Sequence, residues 1–176
     1  NELADKRIAR AVAEAGAGDV KPDPSWTPGS ANDAAASARQ LADPDPRVRR
    51  AAAQSLSLTG PAKAVPHLIA ALASEQADTR MCAMWALGQI GPKAADAVPA
   101  LVKGLDAGSA RARKRDASTS WTEHLAEAQR LQEREHAAAA LSAIGSAAVP
   151  ALAKSLEAEH AETRIAAAEA LRLMGP

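Results

Sequence analysis

Apolar residues recur along the chain with a spacing that predicts pairs of short amphipathic helices. The clearest pair lies in residues 79–105, where the first helix ends at Gly91-Pro92 and the second begins at Val98-Pro99. The apolar positions of this pair are Ala83, Leu87, Ile90, Leu101, Val102 and Leu105. Neither helix is large enough to bury its apolar face alone, so we expect a hairpin that stacks on similar hairpins.

The same template can be placed on the chain four times. Each first helix has an arginine eleven residues before a glycine, an alanine eight residues before it and a leucine four residues before it. The arginine–glycine pairs are Arg49 and Gly60, Arg80 and Gly91, Arg134 and Gly145, and Arg164 and Gly175. The alanines are Ala52, Ala83, Ala137 and Ala167, and the leucines, predicted to be buried, are Leu56, Leu87, Leu141 and Leu171. Second helices are predicted to begin at Val65, Val98 and Val149, each followed by proline.

The residues before the first regular repeat match the template less well. Residues 1–16 have the pattern of an amphipathic helix, residues 17–30 form a linker rich in proline, glycine and aspartate around Trp26, and residues 31–42 supply a second helix. Asp45 and Pro46 have the residue types preferred at a helix cap and at the first helical position.

The repeat register breaks after Leu105. An insertion over residues 106–132 begins with a basic run, and a helix from about Trp121 is predicted to continue unbroken to Ile144. The run contains Arg111, Arg113, Lys114 and Arg115. The fourth repeat stops at Gly175-Pro176, and the chain begins with Asn1, so we expect a piece of a longer protein.

Composition restricts the function classes. The 21 basic and 21 acidic residues cancel, which gives no global electrostatic attraction to nucleic acid or to an acidic membrane. No continuous apolar run approaches the roughly 18 residues that a membrane span needs. Cys82 is the single cysteine, so no intrachain disulfide can form, and it is interpreted as a packed residue, as is Trp85. We therefore expect a soluble, intracellular protein.

The segments AMWALGQIGP, AAALSAIG and AAEALRLMG, joined by AVPHLIAAL, AVPALVKGL and AVPALAKSL, resemble HEAT-like repeats of the type first catalogued in phycobilin lyases. The resemblance implies an all-α solenoid of stacked helical hairpins that forms one domain over residues 1–176. Within it, 1–42 is a degenerate leading repeat, 43–105 two regular repeats, 106–132 the insertion, and 133–176 a third repeat and the first helix of a fourth. That family includes chromophore lyase subunits, a metal-dependent hydroxylase, DNA glycosylase relatives and many adaptors, so the fold alone does not decide the function.

Candidate chemistry is sparse. The histidines, which are His67, His124, His136 and His160, do not pair at metal-ligand spacing on any single helix, so we expect no metal and no cofactor. The four template arginines have two interpretations: they line up on an anionic partner, or they bond the adjacent turns and join the repeats. We favour the second.

Two other sets of residues are candidates for partner binding. Second helices carry Arg39, Lys103 and Lys154 two residues before their last leucine, which would give a mildly positive concave face or only solvated surface charge. Trp26 and Trp121 lie outside the repeats and could anchor a partner, while the run from Arg111 to Arg115 could steer it or be a solvated loop.

The sequence therefore predicts a non-catalytic protein–protein interaction scaffold or a peripheral subunit of a larger assembly. It would bind a protein partner that presents an acidic surface or peptide, through the concave second-helix face and the insertion over residues 106–132. The alternative is a phycobilin-lyase-like or chaperone-like subunit that acts on a chromophore protein with a partner chain. A DNA-binding protein is less favoured, because the basic run lacks interleaved aromatic residues.

Overall fold

The computed structural model describes residues 34–106 and 121–175, and for residues 121–125 the backbone only. These residues form α-helices and two 3₁₀ segments and contain no strand, which confirms the predicted all-α fold. The α-helices are α1 (Ala34–Gln40), α2 (Pro46–Leu58), α3 (Pro61–Ala71), α4 (Ala77–Ile90), α5 (Val98–Asp106), α6 (Trp121–Ile144), α7 (Val149–Ser155) and α8 (Ala161–Met174). The 3₁₀ segments, Gly91–Ala97 and Gly145–Ala148, lead into α5 and α7. The helix predicted over residues 1–16 and the linker at 17–30 lie outside the described residues.

The helices pack in two layers. In the first-helix layer, α2, α4, α6 and α8 lie side by side in chain order. In the second-helix layer, α1 packs on α3, α3 on the segment Gly91–Ala97, and α5 on α7. Each second helix also packs on the next first helix, as α3 does on α4 and α5 on α6. This arrangement is the predicted solenoid of stacked hairpins.

The boundaries of the helices follow local chemistry. The Asp45 Oδ1 accepts the backbone N–H of Arg47 at 2.8 Å, and Pro46 occupies the first position of α2, as predicted. The four glycines of the template all have positive φ, from 65° to 102°. Glycine adopts this left-handed region at little cost, so these positions set where the chain turns between helices.

One helix begins earlier than predicted. Helix α3 starts at Pro61 rather than at Val65, because Pro61 follows the turn at Gly60 directly and fits the first helical position. In the later repeats, the non-helical backbone of Ala94 and the segment Gly145–Ala148 delay the α-helix until Val98 and Val149, where it was predicted.

The core consists mainly of alanine and leucine. The four template alanines are at most 2% exposed, and Leu56, Leu87 and Leu141 are fully buried, as predicted. The fully buried leucines of the second-helix layer are Leu41, Leu68, Leu101, Leu105 and Leu152. Small residues allow close approach: a Cβ added to Gly88 would lie 3.5 Å from the Cα of Ala140 on α6.

Leu171 is half-buried, so the prediction that all four template leucines are buried was wrong at this position. The helices of Leu56, Leu87 and Leu141 each pack on a second helix before them and on a second helix or its 3₁₀ segment after them, whereas α8 packs on α6 and α7 and no second helix follows it in the described part. Without a helix on the other side, part of its apolar surface remains accessible.

One stretch of the described residues, Ala126–Ser155, is long and apolar enough for a membrane span by length and composition. It comprises most of α6, the bend at Gly145–Ala148 and α7, and Leu141, Ile144 and Leu152 from it lie in the core. Of the 18-residue window that meets this criterion, 39% is buried inside the structure.

Helix α6 extends through the second half of the insertion. It runs from Trp121 to Ile144 without a break, as predicted. Its 24 residues compare with 14 in α4 and 14 in α8, and the extra length lies at its N-terminal end. Residues 107–120 lie outside the described part of the chain.

Replacement of Leu87 by alanine tests the core. We expect Leu87→Ala to lower the free energy of unfolding by about 2–5 kcal/mol, because a tightly packed alanine-rich core has little slack to close the cavity. Chemical denaturation followed by circular dichroism measures the loss. Leu58, which is 75% exposed on α2, is the matched control, and Leu58→Ala should change stability by less than about 0.5 kcal/mol. Similar losses in the two variants would contradict the assignment of Leu87 to the core.

Candidate partner-binding surfaces

Three of the template arginines close the turns between hairpins. The Arg80 Nη1 donates to the carbonyl oxygens of Ser74 and Glu75 at 2.7 and 2.8 Å. Arg49 donates in the same way to two carbonyl oxygens of the turn after α1, at 2.8 and 2.9 Å. Arg164 donates to two carbonyl oxygens of the turn after α7, both at 2.8 Å. In each case the guanidinium satisfies carbonyl groups in the turn between a second helix and the next first helix.

Two of these arginines also join neighbouring hairpins. Arg80 donates from Nε and Nη2 to both carboxylate oxygens of Glu133 on α6, at 3.0 and 2.5 Å. Arg49 reaches Asp78 on α4 at 2.5 Å. Bidentate pairing of the kind made by Arg80 fixes orientation as well as distance. The arginines therefore link α2 to α4 and α4 to α6.

Arg134 differs because the insertion replaces the turn before it with helix. Its side chain is buried and lies 3.6 Å from the carboxylate of Glu127, two turns earlier on α6. Arg134 thus keeps its position in the template, but its ion-pair partner, Glu127, lies on the same helix.

Threonines add a second set of links that the sequence analysis missed. The Thr79 hydroxyl donates to the Leu41 carbonyl at the end of α1, at 3.0 Å, and the Thr163 hydroxyl donates to the Asp106 carboxylate at the end of α5, at 3.0 Å. Both threonines directly precede a template arginine, which is the signal that could have identified them. Together with the bonds of Arg49 and Arg80, these contacts join neighbouring hairpins.

The basic residues predicted on the second helices are on the surface. Arg39, Lys103 and Lys154 are exposed in the last turns of α1, α5 and α7. No ion pair among the described residues includes any of them. A cation in the last turn of a helix also interacts favourably with the helix dipole, so position alone does not give these residues a partner.

Lys63 and Lys93 extend the same basic surface. Both are exposed, on α3 and on the segment Gly91–Ala97, and both were missed because they do not occupy the register of Lys103 and Lys154. The helices and 3₁₀ segments of the second-helix layer contain five basic and two acidic residues, whereas those of the first-helix layer contain eight and seven. The net charge of these elements is therefore 5 − 2 = +3 in the second-helix layer and 8 − 7 = +1 in the first-helix layer.

The candidate residues outside the repeats are not placed by the structure. Trp26 and the basic run, which comprises Arg111, Arg113, Lys114 and Arg115, lie outside the described residues. Trp121 begins α6, but its side chain also lies outside them. Their role in binding stays a prediction.

The outer surface of the first-helix layer has a groove of about 560 Å³ that extends across α2, α4 and α6. Trp85 lines it and is 39% exposed, so its interpretation as a packed residue was wrong. Cys82 lies beside it and is half-buried, and burial raises the pKa of its thiol. A raised pKa disfavours the thiolate, which agrees with a packing role for Cys82 rather than a nucleophilic one.

A second groove, of about 760 Å³, lies between α6 and α8. Large apolar side chains on its rim are exposed: Leu131 on α6 at 51%, and Ile165 and Leu173 on α8 at 68% and 48%. This groove was not predicted, because its exposed apolar residues do not occupy the core positions of the repeat template.

No group of three or more His, Cys, Asp or Glu side chains is placed to hold a metal ion within the described residues. The side chain of His124 lies outside those residues.

Two family models match the chain. Residues 35–120 match a model of HEAT repeats, and residues 133–158 match the PBS lyase HEAT-like repeat. No curated protein matches the chain. The two matches lie on either side of residues 121–132, which form the N-terminal half of α6.

The link between α4 and α6 can be tested with Arg80→Met, which keeps an apolar stem but removes the guanidinium. The Glu133 carboxylate would then be left nearly buried without its cation, so we expect a loss of about 3 kcal/mol in the free energy of unfolding. Denaturant unfolding measures this loss.

Arg164→Met is the matched control for this experiment. Arg164 bonds the turn carbonyls but makes no described ion pair, so its replacement should cost about 1 kcal/mol. Equal losses in the two variants would show that the pair with Glu133 adds nothing to the stability of the stack.

Proposed function

Because this chain is a HEAT-like repeat protein, we propose that it is a non-catalytic scaffold that binds a protein partner through its second-helix layer. HEAT repeats are in general a fold for protein interaction, and the families that contain them are generally non-catalytic. The fold supports this class of function, and the choice of surface rests on the side chains of this chain.

The observation that carries the proposal is the exposed positive charge of the second-helix layer. Lysines and one arginine on α1, α3, α5, α7 and the segment Gly91–Ala97 outnumber the acidic residues there by five to two. The five cations are exposed and enter no described ion pair. They are Arg39, Lys63, Lys93, Lys103 and Lys154.

This charge distribution suits a partner with an acidic segment. Solvent-exposed pairs each contribute little to affinity, but a field of one sign speeds encounter and excludes partners of the same sign. The template arginines are less suited to this role, because Arg49 and Arg80 already bond carbonyls and carboxylates of their own chain. The partner would be recognised as an acidic peptide or surface that follows the second helices.

The proposal includes the insertion. In sequence it follows α5 directly, so the basic run begins five residues after the end of the helix that carries Lys103. We propose that Arg111, Arg113, Lys114 and Arg115 add to the steering charge and that Trp121 is an apolar anchor. Trp26 is proposed as a second anchor. Tryptophan and arginine are enriched among the interface residues that contribute most to binding.

A second candidate function follows from one of the family matches. The match of residues 133–158 to the PBS lyase HEAT-like repeat is compatible with a subunit that acts on a chromophore protein together with a partner chain. Visible absorption in the complex purified from native extract would favour this function, whereas a colourless complex would favour the scaffold. For both candidates we propose a soluble, intracellular protein.

The basic surface can be tested with an acidic probe, a labelled peptide rich in aspartate and glutamate. We expect Lys103→Gln/Lys154→Gln to weaken binding about threefold or more at low ionic strength, and Arg39→Gln to weaken it by a smaller factor. Fluorescence anisotropy measures the dissociation constants, and raising the salt concentration should reduce the difference.

The matched controls remove the same number of charges from the first-helix layer. Arg47 and Arg50 are exposed cations on α2 without a described ion pair, so Arg47→Gln/Arg50→Gln controls for the lysine pair and Arg47→Gln for Arg39. Equal weakening in test and control variants would show that the probe responds to total charge and would contradict a surface on the second-helix layer.

The insertion is tested with two changes in the full chain, deletion of residues 108–118 and Trp121→Ala. Retention of partners from native extract and the melting temperature are measured for both. We expect each change to lower retention severalfold while the melting temperature changes by a few degrees at most. Trp85→Ala, which alters an exposed tryptophan on α4 outside the insertion, is the control for Trp121. Unchanged retention in both variants, or a loss that only follows stability, would place the binding surface elsewhere.

A further inference from the structure

We propose that the groove between α6 and α8 binds an amphipathic helix whose apolar residues are flanked by lysine or arginine. This groove is on the first-helix layer, so the inference concerns a surface other than that of the proposed function.

The groove has the size and apolar character of a helix-binding site. Leu131 from α6 and Ile165 and Leu173 from α8 each expose about half or more of their surface around it. Between them the floor is formed by small residues, among them Ala138 and Ala166. Large side chains at the rim and alanines at the floor leave room for the leucines of a partner helix to enter.

The length of the groove suits about three helical turns. Its α8 lining extends from Glu162 to Leu173, which at about 1.5 Å per residue corresponds to about 16 Å. Ile165 and Leu173 are eight residues apart and therefore lie two turns from each other on one side of α8. A partner with apolar residues at positions i, i+3 or i+4, and i+7 would contact both.

The charges beside the groove determine the flanking residues of the partner. The lining of the groove carries three carboxylates and two guanidinium groups. Arg172 donates to Glu169 at 2.7 and 2.6 Å, and Arg134 lies 3.6 Å from Glu127, which also accepts from Arg130 at 2.7 Å. Glu135 and Glu162 line the same groove, are exposed, and enter no ion pair among the described residues. The net charge of the lining is thus negative, and it would select a helix with cations on its edges.

The groove across α2, α4 and α6 has the opposite character. There Arg49 is paired with Asp78, while Arg50 is exposed and enters no described ion pair, so the unpaired charge is positive. The two grooves combine apolar residues with charges of different sign. A basic amphipathic helix should therefore discriminate between them.

The probes are two synthetic peptides of about four turns, one with a leucine face flanked by lysines and one in which glutamates replace the lysines. Fluorescence anisotropy with the full chain should show that the Leu/Lys peptide binds at least tenfold more tightly than the Leu/Glu peptide. Glu135→Gln/Glu162→Gln should remove most of this preference. Ile165→Ser/Leu173→Ser should weaken binding of the Leu/Lys peptide at least tenfold.

Matched variants separate the groove from general effects. Asp96→Asn/Glu157→Gln removes two exposed acidic charges outside the groove, and Leu58→Ser/Leu156→Ser removes two exposed leucines outside it. Both should bind the Leu/Lys peptide like the unaltered chain. Circular dichroism confirms that each variant is folded, and the acidic probe for the second-helix layer should bind all groove variants unchanged.

Several results would overturn the inference. These are absence of Leu/Lys binding, equal binding of both peptides, or equal weakening by the groove and matched variants. A further contradicting result would come from light scattering, which measures the molar mass in solution. If Ile165→Ser/Leu173→Ser converts a dimer into a monomer, the groove is an interface between two copies of the chain. The two peptides are also compared in the Lys103→Gln/Lys154→Gln variant, in which the second-helix layer attracts the Leu/Glu peptide less, so that binding to that layer is not mistaken for binding to the groove.

Discussion

The guanidinium groups of Arg49, Arg80 and Arg164 satisfy the carbonyl oxygens of the turns between hairpins, and the order of the stack depends on this bonding. A turn between two helices leaves carbonyl groups without helical partners, and a single planar guanidinium can bond two of them at once. Its remaining nitrogens are free to reach the next helix, as those of Arg80 reach Glu133. Arg49 and Arg80 therefore each fix both the turn before their own helix and the position of the next first helix.

The apolar core stabilises the stack but does little to fix the axial position of one helix relative to the next. Alanine, leucine and Gly88 let the helices approach closely, and most of the buried surface comes from side chains that present few distinctive shapes. Smooth alanine faces could pack at more than one axial position. Directional bonds from the template arginines, together with those of Thr79 and Thr163, select one of these positions.

Much of the fold could be predicted because the same residue types recur at the same spacing in each repeat. The spacing of arginine, alanine, leucine and glycine located the first helices, and the unbroken continuation from about Trp121 into the third repeat located α6. Three features could not be predicted in this way. The early start of α3 depends on the position of Pro61 directly after the turn at Gly60, and the exposure of Leu171 depends on which helices flank α8. The groove beside Ile165 is formed by two helices that are distant in sequence. The basic second-helix residues were recognised only where they share one register, so Lys63 and Lys93 were missed. The role of the insertion residues in partner binding remains a prediction.

The unbroken length of α6 has a mechanical consequence. From Trp121 to Glu133 the helix extends about 18 Å without a turn, and at Glu133 it is held by the bidentate bond to Arg80 in the middle of the layer. A load applied at the Trp121 end would therefore act through a stiff arm on a fixed pivot rather than being absorbed by a flexible joint. In the other repeats a turn occupies this place and would take up such a displacement locally. A displacement of this arm would be passed through Glu133 and Arg80 to α4 and, through Asp78 and Arg49, to α2.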